Sequence, residues 1–252
     1  MSFANKVVLI TGASSGIGAV TAISFAKEGA NVVIVGRNEE KLQNVKEKCA
    51  ISENRLLVVK ADVSNEQDAK KIIKETLDKF NKLDVLVNNA GVSGKSCILS
   101  DNVLSVYDSI MNTNLRAVVH ITNLAAPYLI KTKGNIINIS SVAGKMTMIV
   151  GNVNLIYSVS KAALNHFTRV VAAELAPHGV RVNSISPGPV HTDIHDNAVV
   201  KLPFSVEDLK KGTRLGRISE AEEITDLILF LASDKARAIT GSDYVSDNGF
   251  SL

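Results

Sequence analysis

The chain has 252 residues, of which 46% are hydrophobic and 21% charged, and its formal net charge is +3. This composition is typical of a soluble globular protein, and one α/β domain can reach this length. Because lysines and arginines are interspersed with aspartates and glutamates, the charge gives little support to nucleic-acid or membrane-surface binding. No apolar run approaches the length of a membrane span.

Cysteine usage and the N-terminus bear on the cellular compartment. The two cysteines, Cys49 and Cys97, form no CxxC pair, which suits a reducing compartment and argues against a disulfide framework. The first six residues lead directly into an apolar segment. They resemble neither the apolar core of a signal peptide nor an Arg-rich transit peptide. We therefore expect a cytoplasmic protein.

Predicted strands and helices alternate through the first half of the chain. Apolar, β-branched runs predict strands at 6–10, 31–35, 56–59 and 83–87. The first helix is expected to end at about Glu28, and Asn38 is expected to cap the second. Residues 64–67 have the spacing of a capping box, with Ser64 in the capping position, before a third helix. A turn at 88–91 follows the fourth strand.

The second half continues the same alternation. A long helical region is expected around residues 104–131, strands at 135–139, 180–185 and 243–246, and a capped helix from Ser219 to about Leu231. Strands alternating with helices imply parallel pairing through right-handed crossovers. Since no repeat or linker interrupts the pattern, we predict one α/β domain over 1–252, with a doubly wound parallel β-sheet and helices on both faces.

Three glycines, Gly12, Gly16 and Gly18, lie between the first strand and the first helix. Their spacing is G-x-x-x-G-x-G rather than the commoner G-x-G-x-x-G, and a glycine cluster alone can be a simple tight turn. At the first strand–helix junction, however, glycine lets the backbone approach a pyrophosphate, and the helix N-terminus supplies N–H donors. The turn therefore predicts dinucleotide binding, with its remaining contacts at Ser14, Ser15 and Ile17.

The end of the second strand indicates which dinucleotide is bound. Where NAD-binding proteins place a carboxylate for the ribose 2′-hydroxyl, this chain has Gly36, Arg37 and Asn38. Arg37 can pair with a 2′-phosphate, although a solvated arginine at a helix start is the alternative. We therefore favour NADP(H) as the cofactor and expect Asn38 to contact it together with Arg37. Asp62, with Val63, could meet the adenine edge, or Asp62 could be a helix cap.

Tyr157 and Lys161 stand four residues apart in a predicted helix, so their side chains share one face. An isolated pair of this kind is most often an ordinary surface pair. An ammonium beside a phenol, however, favours the phenolate and lowers its pKa towards the range useful for acid–base catalysis. The pair is therefore a candidate proton donor if other motifs accompany it.

Other motifs do accompany it, and together they resemble those of the short-chain dehydrogenase/reductase family. They are the glycine turn, Asn88-Asn-Ala-Gly91, Ser140-Ser141, Tyr157-x-x-x-Lys161 and Pro187-Gly188. The resemblance covers essentially the whole chain, ending at Asp247-Asn-Gly249. It implies a Rossmann-like fold and assembly as a homotetramer, or a homodimer, through the two long helices in the middle of the chain.

The same resemblance implies roles in catalysis. Tyr157 would protonate a carbonyl oxygen while NADPH delivers hydride to the carbon, and Lys161 would bind the nicotinamide ribose and lower the pKa of Tyr157. Ser141 would hydrogen-bond the carbonyl oxygen, and Asn114 would hold a water for a proton relay. Because the connection 142–156 is longer than in many relatives, Ser140 remains a rival for the serine role.

Cofactor contacts follow from the resemblance as well. Asn88, Ala90 and Gly91 match the turn that shapes the cofactor cleft. After Pro187 and Gly188, the resemblance implies that two further residues hold the nicotinamide carboxamide; these are Val190 and Thr192.

The substrate should be a small carbonyl compound or the corresponding alcohol. A lid over about 190–215 and the connection 142–156 are expected to close its pocket, and both carry apolar residues: Met146, Met148, Ile149, Val150, Val199, Val200, Leu202, Pro203 and Phe204. These favour a lipophilic ketone or aldehyde, such as a steroid, isoprenoid or aliphatic carbonyl, unless they only pack the lid's own helix. The alternatives are a 3-oxoacyl-thioester reductase and a catalytically silent NADPH-binding scaffold.

A metal site is not predicted. His191 and His195 are four residues apart, but no third ligand has matching spacing and the region reads as a loop. We interpret both as solvated or capping histidines.

Overall fold

The computed structural model describes residues 2–147, 154–194, 198–199 and 205–252. In this part of the chain, seven parallel strands form one sheet in the order β3-β2-β1-β4-β5-β6-β7. The strands are β1 (Val7–Thr11), β2 (Asn31–Gly36), β3 (Leu56–Lys60), β4 (Val85–Asn88), β5 (Asn135–Ile139), β6 (Arg181–Pro187) and β7 (Asp243–Ser246). The doubly wound parallel sheet predicted from the sequence is therefore confirmed.

Helices cover both faces of this sheet, as expected. They are α1 (Gly16–Lys27), α2 (Glu39–Cys49), α3 (Glu66–Phe80), α4 (Val103–Met111), α5 (Ala117–Thr132), α6 (Leu155–Leu175), α7 (Val206–Gly212) and α8 (Ala221–Ala232). Successive β1 residues face opposite cores: Ile10 packs with α1, α2 and α8, and Leu9 packs with α3, α5 and α6. Burial on both faces explains why the strands read as continuous apolar runs.

Helix starts agree with the sequence in one case and differ in two. Asn38 caps α2, as predicted, by accepting from the Lys41 N–H at 2.9 Å. The capping residue of α3 is Asn65 rather than Ser64, because the Ser64 hydroxyl donates instead to Asp62 at 2.7 Å. Likewise α8 is capped by Glu220 and not by Ser219. Each of these two predicted caps is displaced by one residue, because a neighbouring polar side chain serves equally well as a cap.

The long helical region predicted around 104–131 is present but interrupted. A π-helical turn, Asn112–Arg116, separates α4 from α5. π-Helical turns are rare in proteins, and those that occur are often at functional sites. Here the turn contains Asn114, one of the residues singled out from the sequence.

None of the helices in the described ranges is long and apolar enough to cross a bilayer.

The strand order brings the candidate motifs to one edge of the sheet. The chain leaves β1 for β2 on one side and later returns to β4 on the other, so the order reverses between β1 and β4. The glycine turn follows β1, the asparagine turn ends β4, Ser140 follows β5, and Pro187 ends β6. All four lie at carboxyl ends of parallel strands, where ligands bind in open α/β sheets.

Candidate active site

The glycine turn leaves space that a side chain would fill. Gly12 has φ +65°, and a Cβ there would lie 2.8 Å from Ala90 Cα. At Gly18 a Cβ would lie 2.3 Å from the Gly12 carbonyl oxygen, so α1 packs directly on the turn. Ser15 precedes α1 without a side-chain cap, which leaves the first N–H groups of the helix for another partner. This cradle fits the pyrophosphate of a dinucleotide.

The predicted turn residues occupy different positions relative to this cleft. Ser14, Ser15, Gly16 and Ile17 line it with Gly12, whereas Gly18 lies behind the lining because the Gly12 carbonyl covers it.

The asparagine turn is fastened to the glycine turn. The Thr11 hydroxyl accepts from the N–H groups of Asn89 and Ala90 at 3.0 and 3.1 Å. The Asn89 amide donates to the carbonyls of Thr11 and Gly12, each at 3.0 Å. Asn89, Ala90 and Gly91 line the cleft. Asn89 therefore connects the two turns, a role that the sequence analysis missed.

Asn88, named from the sequence as a cofactor contact, lies inside the protein. Its side chain donates to Asn138 Oδ1 at 2.9 Å and is 2% exposed. Side chains alternate between faces along a strand, and Asn88 still belongs to β4. The alternation of β4 could have indicated that Asn89, the first residue beyond the strand, is the one that turns towards the cleft.

The far end of the cleft is lined by Arg37, Asn38, Asp62 and Val63, all predicted cofactor contacts. Arg37 lies 3.9 Å from Asp62 (Nη1 to Oδ2), and 65% of its side chain is exposed. Asp62 also accepts from the N–H and hydroxyl of Ser64, at 2.9 and 2.7 Å, so it shapes the loop after β3. An exposed guanidinium thus borders the cleft next to a carboxylate that is held by Ser64.

An ion pair joins two elements that border the cleft. Lys41 Nζ of α2 lies 2.5 Å from Asp193 Oδ2, in the segment that follows β6. In the same segment Thr192 packs against Gly16, where a Cβ would come within 2.9 Å of the threonine methyl. Thr192 lines the cleft with Pro187, Gly188 and Val190, all of which are predicted cofactor contacts.

Ser141 and Ser140 are distinguished by their contacts. The Ser141 hydroxyl accepts from the Ala143 N–H at 3.2 Å and lies near the phenol of Tyr157, with which it lines the cleft. The Ser140 hydroxyl is buried and donates to the Lys161 carbonyl at 3.2 Å. Ser141 therefore has the contact with Tyr157 that the serine role requires, and Ser140 connects strand β5 to helix α6.

Lys161 is buried next to Tyr157. Its Nζ donates to the Ile139 carbonyl at 2.9 Å and lies 5.6 Å from the centre of the Tyr157 ring. Burial lowers the pKa of Lys161 to about 8. Burial also raises the pKa of Tyr157, and the Ser141 hydrogen bond offsets only part of that increase. The lowered tyrosine pKa expected from the sequence is therefore wrong for this arrangement, because desolvation dominates.

Asn114 lies behind the site and not on its surface. Its side-chain oxygen accepts from the Val92 N–H at 2.8 Å, and its amide donates to the Val92 carbonyl and to the Ser160 hydroxyl. Both protons of the side-chain amide are thus used. The water that Asn114 is predicted to hold would therefore have to contact another atom of this residue. The Asn114 side chain therefore holds the loop after β4 against α6. The approach is close, because a Cβ on Gly91 in this loop would lie 3.5 Å from Lys161 Nζ.

The substrate end of the cleft includes residues that the sequence did not indicate. Its lining is largely apolar. Val142, Ala143, Asn154, Ile194 and Leu209 belong to the predicted connection and lid, whereas Val92, Ser93 and Phe250 come from segments that the sequence did not indicate. Phe250 reaches the site from the C-terminus by packing on α7, where a Cβ on Gly212 would lie 2.6 Å from its ring. No local pattern marks such a long-range contact.

The predicted lid is described only in part. Val199 is 41% exposed, and its N–H donates to the Ser93 carbonyl at 2.7 Å. Met146 is partly buried. The other apolar residues proposed for the lid and the connection lie outside the described residues: Met148, Ile149, Val150, Val200, Leu202, Pro203 and Phe204.

The histidine pair is described only in part. His191 Nε2 lies 3.6 Å from Glu220 Oε1, and His195 is outside the described residues. No group of three potential ligands occurs in the part of the chain that the structure describes.

Comparison with known proteins identifies the class to which this fold and site belong. A family model described as enoyl-(acyl carrier protein) reductase matches residues 12–251. The chain is 35% identical to 3-oxoacyl-[acyl-carrier-protein] reductase FabG of Thermotoga maritima, covering 99% of both chains. It is 37% identical to (+)-borneol dehydrogenase 2 of Salvia officinalis, covering 97% of this chain and 89% of that one.

Comparison with solved structures indicates the same class of protein. A short-chain dehydrogenase/reductase of unknown function from Caenorhabditis elegans, crystallised with cofactor, has a TM-score of 0.91 and 38% identity, with 99% of this chain and 96% of that chain covered. The 3-ketoacyl-(acyl-carrier-protein) reductase of Brucella melitensis, complexed with NADH, has a TM-score of 0.87 and 30% identity over 100% of both chains.

The chain therefore belongs to the short-chain dehydrogenase/reductase family. Within that family it is similar to 3-oxoacyl reductases, and it is an oxidoreductase of the kind that uses a nicotinamide cofactor.

Proposed function

We propose that this protein catalyses the reversible, NADP(H)-dependent reduction of a small-molecule carbonyl to an alcohol. The observation that carries the proposal is that Ser141 and Tyr157 meet at the cleft, with the buried Lys161 Nζ 5.6 Å from the centre of the Tyr157 ring. Acid, hydrogen-bond donor and cation thus converge where a carbonyl oxygen could be held.

The mechanism follows from these side chains. When bound, the reduced nicotinamide supplies a hydride to the carbonyl carbon. Since burial raises the pKa of Tyr157, its phenol is protonated at neutral pH and can donate that proton to the carbonyl oxygen. Ser141 donates a hydrogen bond to the same oxygen and stabilises the negative charge that develops there. Lys161 lies close enough to favour the phenolate that Tyr157 becomes.

Preference for NADP(H) is supported by the far end of the cleft. Strand β2 ends in Gly36 and not in a carboxylate, and the exposed Arg37 guanidinium can move towards a 2′-phosphate. Asp62, 3.9 Å away, is an acidic neighbour that would repel a phosphate. The preference therefore rests on Arg37 contributing more to binding than Asp62 removes.

Two substrate classes are compatible with the cleft. The apolar side chains of Val92, Ile194 and Phe250 support a lipophilic ketone or aldehyde, such as a steroid, isoprenoid or aliphatic carbonyl. The similarity to (+)-borneol dehydrogenase 2 favours the same class. The similarity to the Thermotoga maritima reductase favours the alternative, a 3-oxoacyl thioester. We propose the lipophilic carbonyl and retain the thioester as the second candidate.

A turnover screen tests this choice. The purified protein is assayed with NADPH against cyclic ketones, aliphatic aldehydes and acetoacetyl thioesters, and Tyr157→Phe measures the background. Turnover of lipophilic ketones with kcat/KM well above that of the thioesters is expected. Turnover of acetoacetyl thioesters alone would establish the second candidate.

Assembly and location complete the proposal. Apolar side chains on the two long helices and on α4 face solvent in the single chain: Leu104, Tyr107, Val119, Val159 and Val170. Exposed apolar surface of this kind supports a homotetramer, or a homodimer, formed through these helices. Sedimentation velocity would distinguish four chains from two, and a monomer at micromolar concentration would contradict both. The two unpaired cysteines support a cytoplasmic location.

A further inference from the structure

The turn that carries Ser141 is anchored at both ends. A 3-10 turn, Val142–Gly144, follows Ser141. The Gly144 N–H donates to the Ser141 carbonyl, and the Lys145 N–H donates to the Val142 carbonyl. On one side Gly144 lies against α6, where a Cβ would come within 2.6 Å of the Lys161 backbone. The glycine therefore sets the distance between the turn and the helix that carries Tyr157.

On the other side the turn is held by a charge. Lys145 Nζ lies 2.7 Å from Asp243 Oδ2, on the edge strand β7. The Asp243 side chain is 13% exposed and the Lys145 side chain 39%, so this pair is better shielded from water than most ion pairs of the molecule. Shielding strengthens the attraction between opposite charges.

Asp243 is itself fixed by two buried serines of β6. Ser184 and Ser186 donate to its Oδ1 at 2.8 and 2.9 Å, and Ser186 lies 3.0 Å from Oδ2. Both serines are fully buried. The two serines thus fix the orientation of the carboxylate that Lys145 contacts.

We propose that Lys145 and Asp243 form a positioning pair, which fixes the turn bearing Ser141 beside Tyr157. The inference rests on the proposed function, since it assigns the pair to the same reaction. Neither residue touches the reacting atoms. They act through Ser141, whose displacement by a fraction of an ångström would misalign the donor for the carbonyl oxygen.

The test combines kinetics with hydrogen exchange. Lys145→Met removes the charge but keeps the length of the side chain, and Asp243→Asn keeps an acceptor for the serines. In both variants we expect faster amide exchange in peptides covering 140–147 and a kcat lowered about tenfold or more. The dissociation constant of NADPH should stay within about twofold, because neither residue lines the cleft.

Two matched variants serve as controls. Lys145→Arg keeps the positive charge and should restore both exchange protection and kcat. Lys74→Met breaks the exposed Lys74–Asp78 ion pair on α3, in which the side chains are 75% and 59% exposed, and should change neither quantity. The double variant Lys145→Met/Asp243→Asn should be no slower than either single variant, since the two residues act as one unit.

The outcomes separate this inference from the proposed function. Unchanged exchange in 140–147 would overturn the anchor. Faster exchange with unchanged kcat would overturn the positioning role and leave a purely structural pair. If the unmodified protein reduced no carbonyl at all, the proposed function would fail, and with it the catalytic part of this inference, whatever the exchange result.

Discussion

The Ser141 hydroxyl lies beside the Tyr157 side chain at the cleft, whereas the neighbouring Ser140 hydroxyl donates to the main chain of Lys161. Two adjacent serines thus have separable roles, one facing the cleft and one joining β5 to α6.

Substituting each serine by alanine should therefore give different results. Ser141→Ala removes the hydrogen-bond donor to the developing oxyanion and should lower kcat by roughly 10²–10³-fold. Ser140→Ala removes one buried hydrogen bond and should lower the free energy of unfolding by about 1 kcal/mol, with kcat within about threefold. Steady-state kinetics and urea unfolding measure both. Equal loss of kcat in the two variants would contradict the assignment.

Tyr157→Phe should abolish turnover while keeping the fold and the cofactor. Loss of general acid catalysis costs on the order of 10²–10⁴ in rate. NADPH affinity, measured by fluorescence titration, should change less than about threefold because only the hydroxyl is removed. If this variant kept the full biological role in cells, the catalytically silent scaffold would become the better explanation.

Cofactor preference should depend on Arg37. In Arg37→Ala the dissociation constant of NADPH should rise about 10- to 100-fold, because one or two charge-assisted hydrogen bonds are lost. The dissociation constant of NADH should be nearly unchanged. Asp62→Asn is the matched control: it removes the charge 3.9 Å from Arg37 and should not weaken NADPH binding. Equal affinity for NADH and NADPH in the unmodified protein, unaltered by Arg37→Ala, would refute the preference.

The Lys41–Asp193 ion pair should affect how long the cofactor stays bound. It joins α2 to the segment after β6 across the cleft border. Both side chains are partly exposed, so the pair contributes at most about 1 kcal/mol, and Asp193→Asn should accelerate NADPH release by no more than about fivefold. Stopped-flow displacement measures this rate. High salt should accelerate release from the unmodified protein but not from the variant.

Buried Lys161 should make stability depend on pH in the alkaline range. Burial lowers its pKa from 10.5 to about 8, so between these values the unfolded chain keeps a proton that the folded protein has released. The free energy of unfolding should consequently rise with pH there, by about 2 kcal/mol between pH 7 and pH 10. Urea titrations of the unmodified protein and of Lys161→Met, without added nucleotide, should differ by that change. A pH-independent difference would mean that the lysine is solvated.

Local sequence determined most of the fold. β-branched apolar runs defined the strands and helical periodicity the helices, and their regular alternation indicated a parallel sheet, because parallel neighbours need a crossover connection such as a helix. The glycine turn was also recognisable, since Gly12 adopts φ +65° and Gly18 touches the turn. These features depend on neighbours in sequence, which a local pattern can encode.

Tertiary structure decided what the candidate side chains face. It turned Asn88 inward and Asn89 towards the cleft, assigned the Tyr157 contact to Ser141, and brought Phe250 from the C-terminus to the substrate end. It also reversed the expected pKa direction of Tyr157, because the sequence shows a lysine four residues away but not the desolvation that both groups share. Burial and long-range contacts arise only when distant segments pack together.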